Sequence, residues 1–142
     1  MSRLYVVATP IGNLSDLSPR VREALIQADL IAAEDTRMAK KLLSHLGLSK
    51  PTLSCHRHNE QERAVELINR MLAEDLTVAL TSDAGTPAIS DPGHLLVDAA
   101  WDAGIPVVPI PGPSASIAAL SASGFDAAEF TFYGFLPREK PR

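Results

Sequence analysis

At 142 residues, with 46% hydrophobic and 21% charged residues, the chain has enough apolar material for one folded core and the composition of an ordinary globular protein. A net charge of −4 argues against a strong grip on nucleic acid by this chain alone, and a single cysteine, Cys55, excludes an internal disulfide framework. No Cys/His spacing suggests a metal site, no apolar run reaches membrane-spanning or signal-peptide length, and the expected location is the cytoplasm.

Residues 4–9 (LYVVAT) form a continuous apolar run of the kind found in strands buried on both faces. The turn cluster Pro10-Ile11-Gly12-Asn13-Leu14 follows. Ser18-Pro19 predicts a helix start, a hydroxyl cap with proline at the first helical position, and Val21, Ala24, Leu25 and Ala28 give that helix an apolar face. A second strand is expected over 29–33, ending in Glu34-Asp35-Thr36-Arg37. The next helix should turn Met38, Leu42, Leu43 and Leu46 inward and close on Gly47. Residues 51–54 read as a short third strand, leading into His56-Arg57-His58-Asn59-Glu60. Asn59 and Glu62 approximate a capping box, and Ala64, Leu67, Ile68, Met71 and Leu72 recur at helical spacing.

A short apolar strand at 77–80 stops at the loop 81–93, TSDAGTPAISDPG. Such a tightly built loop restricts backbone freedom and exposes polar groups, which points to a ligand at the carboxyl end of a strand. Asp91-Pro92 is expected to cap the helix over 95–103, which Gly104 ends. Residues 105–110 predict a strand that Pro106 and Pro109 assign to a bent or edge position. Pro111-Gly112-Pro113-Ser114 turns into a small-residue helix over 115–123, and 129–135 (EFTFYGF) reads as an aromatic strand before the basic tail 137–142. Strands alternating with helices across short connections define an α/β fold, a mostly parallel five-stranded sheet with flanking helices.

In such a sheet, ligands collect outside the carboxyl ends of strands, where the loops 10–14, 34–37, 81–93 and 111–116 all arrive. Neither a G-x-G-x-x-G turn nor a G-x-x-x-x-G-K-[ST] loop is present, and no lysine stands in these turns. The pattern therefore suits a nucleoside or a cationic ligand held by backbone groups and carboxylates, rather than a polyphosphate. Glu34, Asp35 and Arg37 are candidates for acid/base work, while the simpler reading makes Asp35 or Thr36 a helix cap and Arg37 its local partner. Among His56, His58 and Asn59, the asparagine reads as a cap and either histidine as a candidate base. Cys55 reads as a small half-buried residue.

Taken together, TPIGNLSDLS, AEDTR, HRHNE, SDAGTPAISDPG and PIPGPSA resemble the amino-terminal domain of the ribosomal small-subunit RNA cytidine 2′-O-methyltransferases, within the tetrapyrrole-methylase (class III) S-adenosylmethionine fold. The resemblance runs through essentially the whole chain in order. It implies two α/β domains with S-adenosylmethionine between them, usually in a homodimer, and ribosomal RNA or the small ribosomal subunit as partner. On that reading residues 1–136 are the amino-terminal subdomain and 137–142 begin a linker to a second domain. The cofactor contacts it implies are Pro10, Ile11 and Gly12; Asp83, Ala84, Gly85 and Thr86; and Ser114 with Ala115. It also makes Glu34, Asp35, Arg37, His56, His58 and Asn59 substrate-side candidates, without choosing a base. Related methylases carry Gly-Asp-Pro where this chain has Ser82-Asp83-Ala84, so only the aspartate matches. The competing readings are a tetrapyrrole C-methyltransferase, which leaves HRHNE unexplained, and a catalytically silent cofactor-binding fragment.

Overall fold

The computed structural model describes residues 1–138. Five strands and five helices alternate: β1 (Arg3–Val7), α1 (Pro19–Gln27), β2 (Leu30–Ala33), α2 (Thr36–His45), β3 (Thr52–Ser54), α3 (Glu60–Glu74), β4 (Thr77–Thr81), α4 (His94–Asp102), β5 (Val107–Ile110) and α5 (Ala115–Ala122). The strands form one sheet in the order β3-β2-β4-β1-β5, and every neighbouring pair is parallel. Pro109 lies on β5 at the sheet edge, where a residue without an N–H is tolerated.

Side-chain alternation along the strands builds two cores, one on each face. Leu4, Leu30, Ala32, Val78 and Leu80 face the stripe of α3 (Ala64, Leu67, Ile68, Met71) and Leu96 and Ala100 of α4. Tyr5, Val7, Ile31, Ala33 and Ala79 face Val21, Ala24 and Leu25 of α1 and Ala39 and Leu43 of α2. The helices after β1 and β2 thus cover one face, and those after β3 and β4 the other. From β1 the chain crosses toward β2, and from the adjacent β4 it crosses the opposite way toward β5. That reversal opens a crevice between the carboxyl ends of β1 and β4, the place where an open parallel sheet receives its ligand.

Local punctuation works largely as the sequence predicts. Ser18 Oγ accepts the Val21 N–H at the start of α1, and the Leu48 N–H reaches back to the Leu43 carbonyl around left-handed Gly47.

Several expectations are corrected. The aromatic segment 129–135 is not a strand: Gly134 adopts φ +84, and Phe130, Phe132, Tyr133 and Phe135 are exposed. Leu72 and Met38 are exposed rather than inward, because the apolar stripes of α3 and α2 are narrower than the spacing implied. Asp91 does not cap α4; Gly93 occupies that position, and the Glu60 carboxylate accepts the N–H groups there. Asn59 precedes α3 but makes no side-chain cap bond; its Oδ1 accepts the His56 N–H instead. Of the expected linker, residues 139–142 lie outside the described residues.

Candidate functional site

The turn after β1, the loop after β4 and the turn after β5 converge at the switch-point crevice. Thr9 and Gly85 form an isolated antiparallel bridge, each N–H donating to the other's carbonyl at 3.0 Å. Thr86 Oγ1 donates to the Pro113 carbonyl at 3.3 Å, joining the β4 loop to the β5 turn. Gly85 sits at φ +82, and a Cβ there would lie 3.4 Å from the Ile11 side chain and 3.7 Å from the Pro113 carbonyl oxygen. Gly112 is required on steric grounds, since its Cβ would lie 2.8 Å from that of Ala8. Sequence candidates Ile11, Gly85 and Thr86 are therefore neighbours, with Ser114 and Ala115 directly after Pro113 at the start of α5.

Alongside this junction lies a cleft of about 370 Å³, whose walls include Pro10, Gly12, Leu14, Met38, Leu42 and Asp83. Met38, expected in the core, lines this cleft instead, while Leu42 both packs against the core as expected and reaches the cleft wall.

The loop after β2 meets the loop after β4 through carboxylates. Asp83 Oδ1 accepts the Asp35 N–H at 3.1 Å, and Glu34 Oε2 accepts the Asp83 N–H at 3.4 Å. Burial raises the Glu34 carboxyl above the ordinary range, helped by the neighbouring charges of Asp83, Asp91 and Asp35 and opposed by the Asp83 N–H bond. Burial likewise raises Asp83 and Asp91, and the Asp83 charge adds to the rise at Asp91. Three carboxylates with raised proton affinity form an acidic ridge that suits a positively charged ligand. Asp35 behaves oppositely. Its oxygens accept the Arg37 N–H at 2.9 Å and pair with the guanidinium at 2.9 Å, which lowers its pKa. Asp35 is thus the cap of α2, as the simpler sequence reading has it, while Arg37 leaves 86% of its side chain exposed beside the ridge.

The His56–Asn59 turn follows β3, which pairs with β2. Asn59 organises it: Oδ1 accepts the His56 N–H at 2.8 Å, and Nδ2 donates to Ser54. His56 Nδ1 accepts the His58 N–H at 3.2 Å, so the ring's acceptor nitrogen is occupied and Nε2 is left as a donor. That disfavours His56 as a general base. Burial pushes the Cys55 thiol up to about 11, which removes thiolate chemistry at neutral pH.

A second cleft, of about 510 Å³, lies beyond the ridge between Arg57, Glu60, Asp91, His94, Tyr133 and Phe135. Its key residue, Glu60, escaped the sequence reading of the site. Its partners are Gly93 and Leu95, far along the chain, and the only local signal was its place in HRHNE. Among the described residues there is no group of three or more His, Cys, Asp or Glu fit to hold a metal, and no helix long and apolar enough to cross a membrane.

Comparison with known proteins fits this geometry. A ribosomal RNA small subunit methyltransferase I from Xylella fastidiosa is 57% identical over 134 residues, 94% of this chain and 49% of the relative. One from Haemophilus influenzae is 56% identical over 134 residues, covering 94% of this chain and 47% of the relative. The chain spans about half the length of the curated relatives it matches. Among solved structures, a uroporphyrin-III-C-methyltransferase from Thermus thermophilus shares the fold with TM-score 0.64 at 22% identity, over 89% of this chain and 54% of that one. A single family accounts for both kinds of likeness, and its model matches residues 3–140: the chain belongs to the Tetrapyrrole (Corrin/Porphyrin) Methylases.

Proposed function

We propose that this chain carries the cofactor loops of an S-adenosylmethionine-dependent methyltransferase that acts on small-subunit ribosomal RNA, at the 2′ oxygen of a cytidine ribose. The observation that carries the reading is the junction of three loops by the Thr9–Gly85 bridge and the Thr86–Pro113 hydrogen bond, beside an acidic ridge and without a phosphate cradle. The names of the curated relatives support the RNA substrate.

The residues fit the cofactor. Gly85 leaves open the space that a Cβ would take between Ile11 and Pro113, and the carboxylates supply negative charge. Pro10, Ile11 and Gly12, then Asp83, Ala84, Gly85 and Thr86, then Ser114 and Ala115, would hold it. When bound, S-adenosylmethionine supplies a methyl group already activated by its sulfonium. The chain's own residues then have two tasks, alignment and proton removal. Glu34, raised by burial and by its acidic neighbours, is the group best matched to accept the proton of a ribose hydroxyl. Arg37, anchored on Asp35 and otherwise exposed, orients the ribose and phosphate. His56, with Nδ1 occupied, serves as a donor through Nε2. The working unit in this reading is a homodimer in the cytoplasm.

Calorimetry with S-adenosylmethionine tests the reading. The chain should bind, and Asp83→Ala should weaken binding at least about tenfold, the loss of one charged contact. Equal affinity for both proteins removes Asp83 from the site. Absence of binding by either removes the cofactor reading for this chain.

A further inference from the structure

The second cleft is not used by the cofactor loops. Its floor is Glu60, whose side chain is only 8% exposed. Oε1 is fully engaged, accepting the Gly93 N–H at 2.8 Å and the Leu95 N–H at 3.1 Å, with His94 Nδ1 at 3.5 Å. Oε2 has no hydrogen-bond partner among the described residues, and it is not sealed from solvent. Glu60 lines the cleft, and a buried carboxylate fixed through one oxygen leaves the other free to accept a hydrogen bond.

The walls are unusual in the same direction. Ala88 and Ser90 hold left-handed backbones at φ 69 and φ 52, conformations that L residues adopt at a cost. The aromatic segment lies against this loop, because a Cβ on Gly134 would stand 3.1 Å from Ser90 Oγ. It brings Tyr133, 89% exposed, and Phe135 to the cleft, while Arg57 stands at its rim. An exposed ring, a fixed acceptor and a guanidinium within one cleft are the elements that recognise an unstacked base, its exocyclic amine and its phosphate.

We propose that this second cleft binds a splayed nucleobase of single-stranded RNA that bears an exocyclic amino group, with Glu60 Oε2 accepting from the amine, Tyr133 stacking on the ring and Arg57 meeting the phosphate. The inference rests on the proposed reading of the chain as part of an RNA methyltransferase. It adds the subsite and the residue that selects the base. Uracil, with a carbonyl oxygen in place of the amine, meets Glu60 Oε2 with repulsion.

The test is an amide-resolved NMR titration of this chain with CMP and with UMP, and separately with S-adenosylhomocysteine. CMP should shift Arg57, His94, Tyr133 and Gly134 and bind at least about fivefold more tightly than UMP, the discrimination expected of one base-edge contact. Glu60→Gln keeps an acceptor for Gly93 and Leu95 but can turn an N–H donor toward the cleft, so it should reverse the CMP/UMP preference. Tyr133→Ala, at an exposed position on which folding does not depend, should weaken CMP about tenfold. Equal affinity for CMP and UMP, CMP shifts confined to the turns after β1 and β4, or S-adenosylhomocysteine competing with CMP for the second cleft each overturns the inference. The cofactor reading is judged separately by whether S-adenosylhomocysteine shifts Gly85 and Thr86.

Discussion

The two halves of the loop that follows β4 are built on different principles. From 82 to 86 the chain is held by a backbone bridge and by its own short side chains. Ser82 Oγ donates to the loop's carbonyls and Thr86 Oγ1 to that of Pro113. The antiparallel Thr9–Gly85 bridge ties the loop to the turn after β1, beyond the last parallel pair Val7–Thr81, and the only left-handed residue there is glycine. From 88 to 93 three residues take positive φ, two of them not glycine, and no strand pairing supports them. Each left-handed non-glycine residue costs on the order of 1 kcal/mol, so the surroundings must enforce the shape. The Glu60 carboxylate pins the end of this stretch, gripping the Gly93 and Leu95 N–H groups from the start of α3. The first half is fixed by contacts within and beside the loop, and the end of the second by one buried side chain that also lines a cleft.

That contrast sets the order of effects expected from glycine substitutions. Gly93→Ala should be the more damaging, by roughly 2–4 kcal/mol of unfolding free energy in urea titrations. Its Cβ would lie 2.7 Å from Cδ2 of Leu80, which is itself fully buried, and φ +124 suits no L residue. Gly85→Ala meets only ordinary contact distances at φ +82 and should lose about 1 kcal/mol. A larger loss at Gly85 than at Gly93 would mean that the bridge, not the carboxylate, is the more demanding part.

Asp35 provides a comparison of the same kind between helix starts. α2 is capped by the residue directly before it, whereas α4 is capped by a residue 33 positions away. Asp35→Ala should therefore lower the melting temperature by a few degrees, as loss of a local cap does, and free Arg37 from its anchor. Thermal unfolding gives the first effect. In a protein of the relatives' full length carrying this sequence, slower methylation of small ribosomal subunits would report the second.

This difference between local and distant causes also explains what the sequence made legible. The five strands, the edge position of β5 and the cap at Ser18 follow from apolar runs, prolines and neighbouring residues. Asp91-Pro92 carries the usual local signature of a helix start, yet the left-handed turn at Ser90 and the reach of Glu60 decide the matter instead. No spacing rule links residue 60 to residue 93. The alternation in EFTFYGF has the period of a strand, but a strand exists only with a partner, and left-handed Gly134 bends the segment back onto Ser90. Along α5 the residues are apolar all round and none is buried, so periodicity there had no face to report. The convergence of Ile11, Gly85, Thr86 and Pro113 agrees with the sequence placing their loops at one edge of the sheet. The acidic ridge was only half visible, because Glu34 and Asp83 become neighbours through β2–β4 pairing.

The smallest predicted effect has the opposite sign and bears most directly on why the ridge exists. Asp83 is raised above its ordinary value of 3.8, chiefly by burial and further by the Asp35 charge. For such a group the protonated form is favoured by folding. Its unfavourable contribution is absent below 3.8 and complete once the pH has passed its raised folded value. Asp83→Asn retains an acceptor for the Asp35 N–H and removes the charge. Because the site is partly open to solvent, screening limits the gain at pH 7 to a few tenths of a kcal/mol, and that gain should vanish in acid. The same substitution should weaken S-adenosylmethionine binding, and weaken it more than S-adenosylhomocysteine, whose sulfur is neutral. Stability and affinity moving in opposite directions would identify the ridge as charge kept for a cationic ligand at the fold's expense. If Asp83→Asn lowers stability at pH 7, or leaves the preference between the two cofactor forms unchanged, the carboxylate is a structural acceptor for the Asp35 N–H and nothing more.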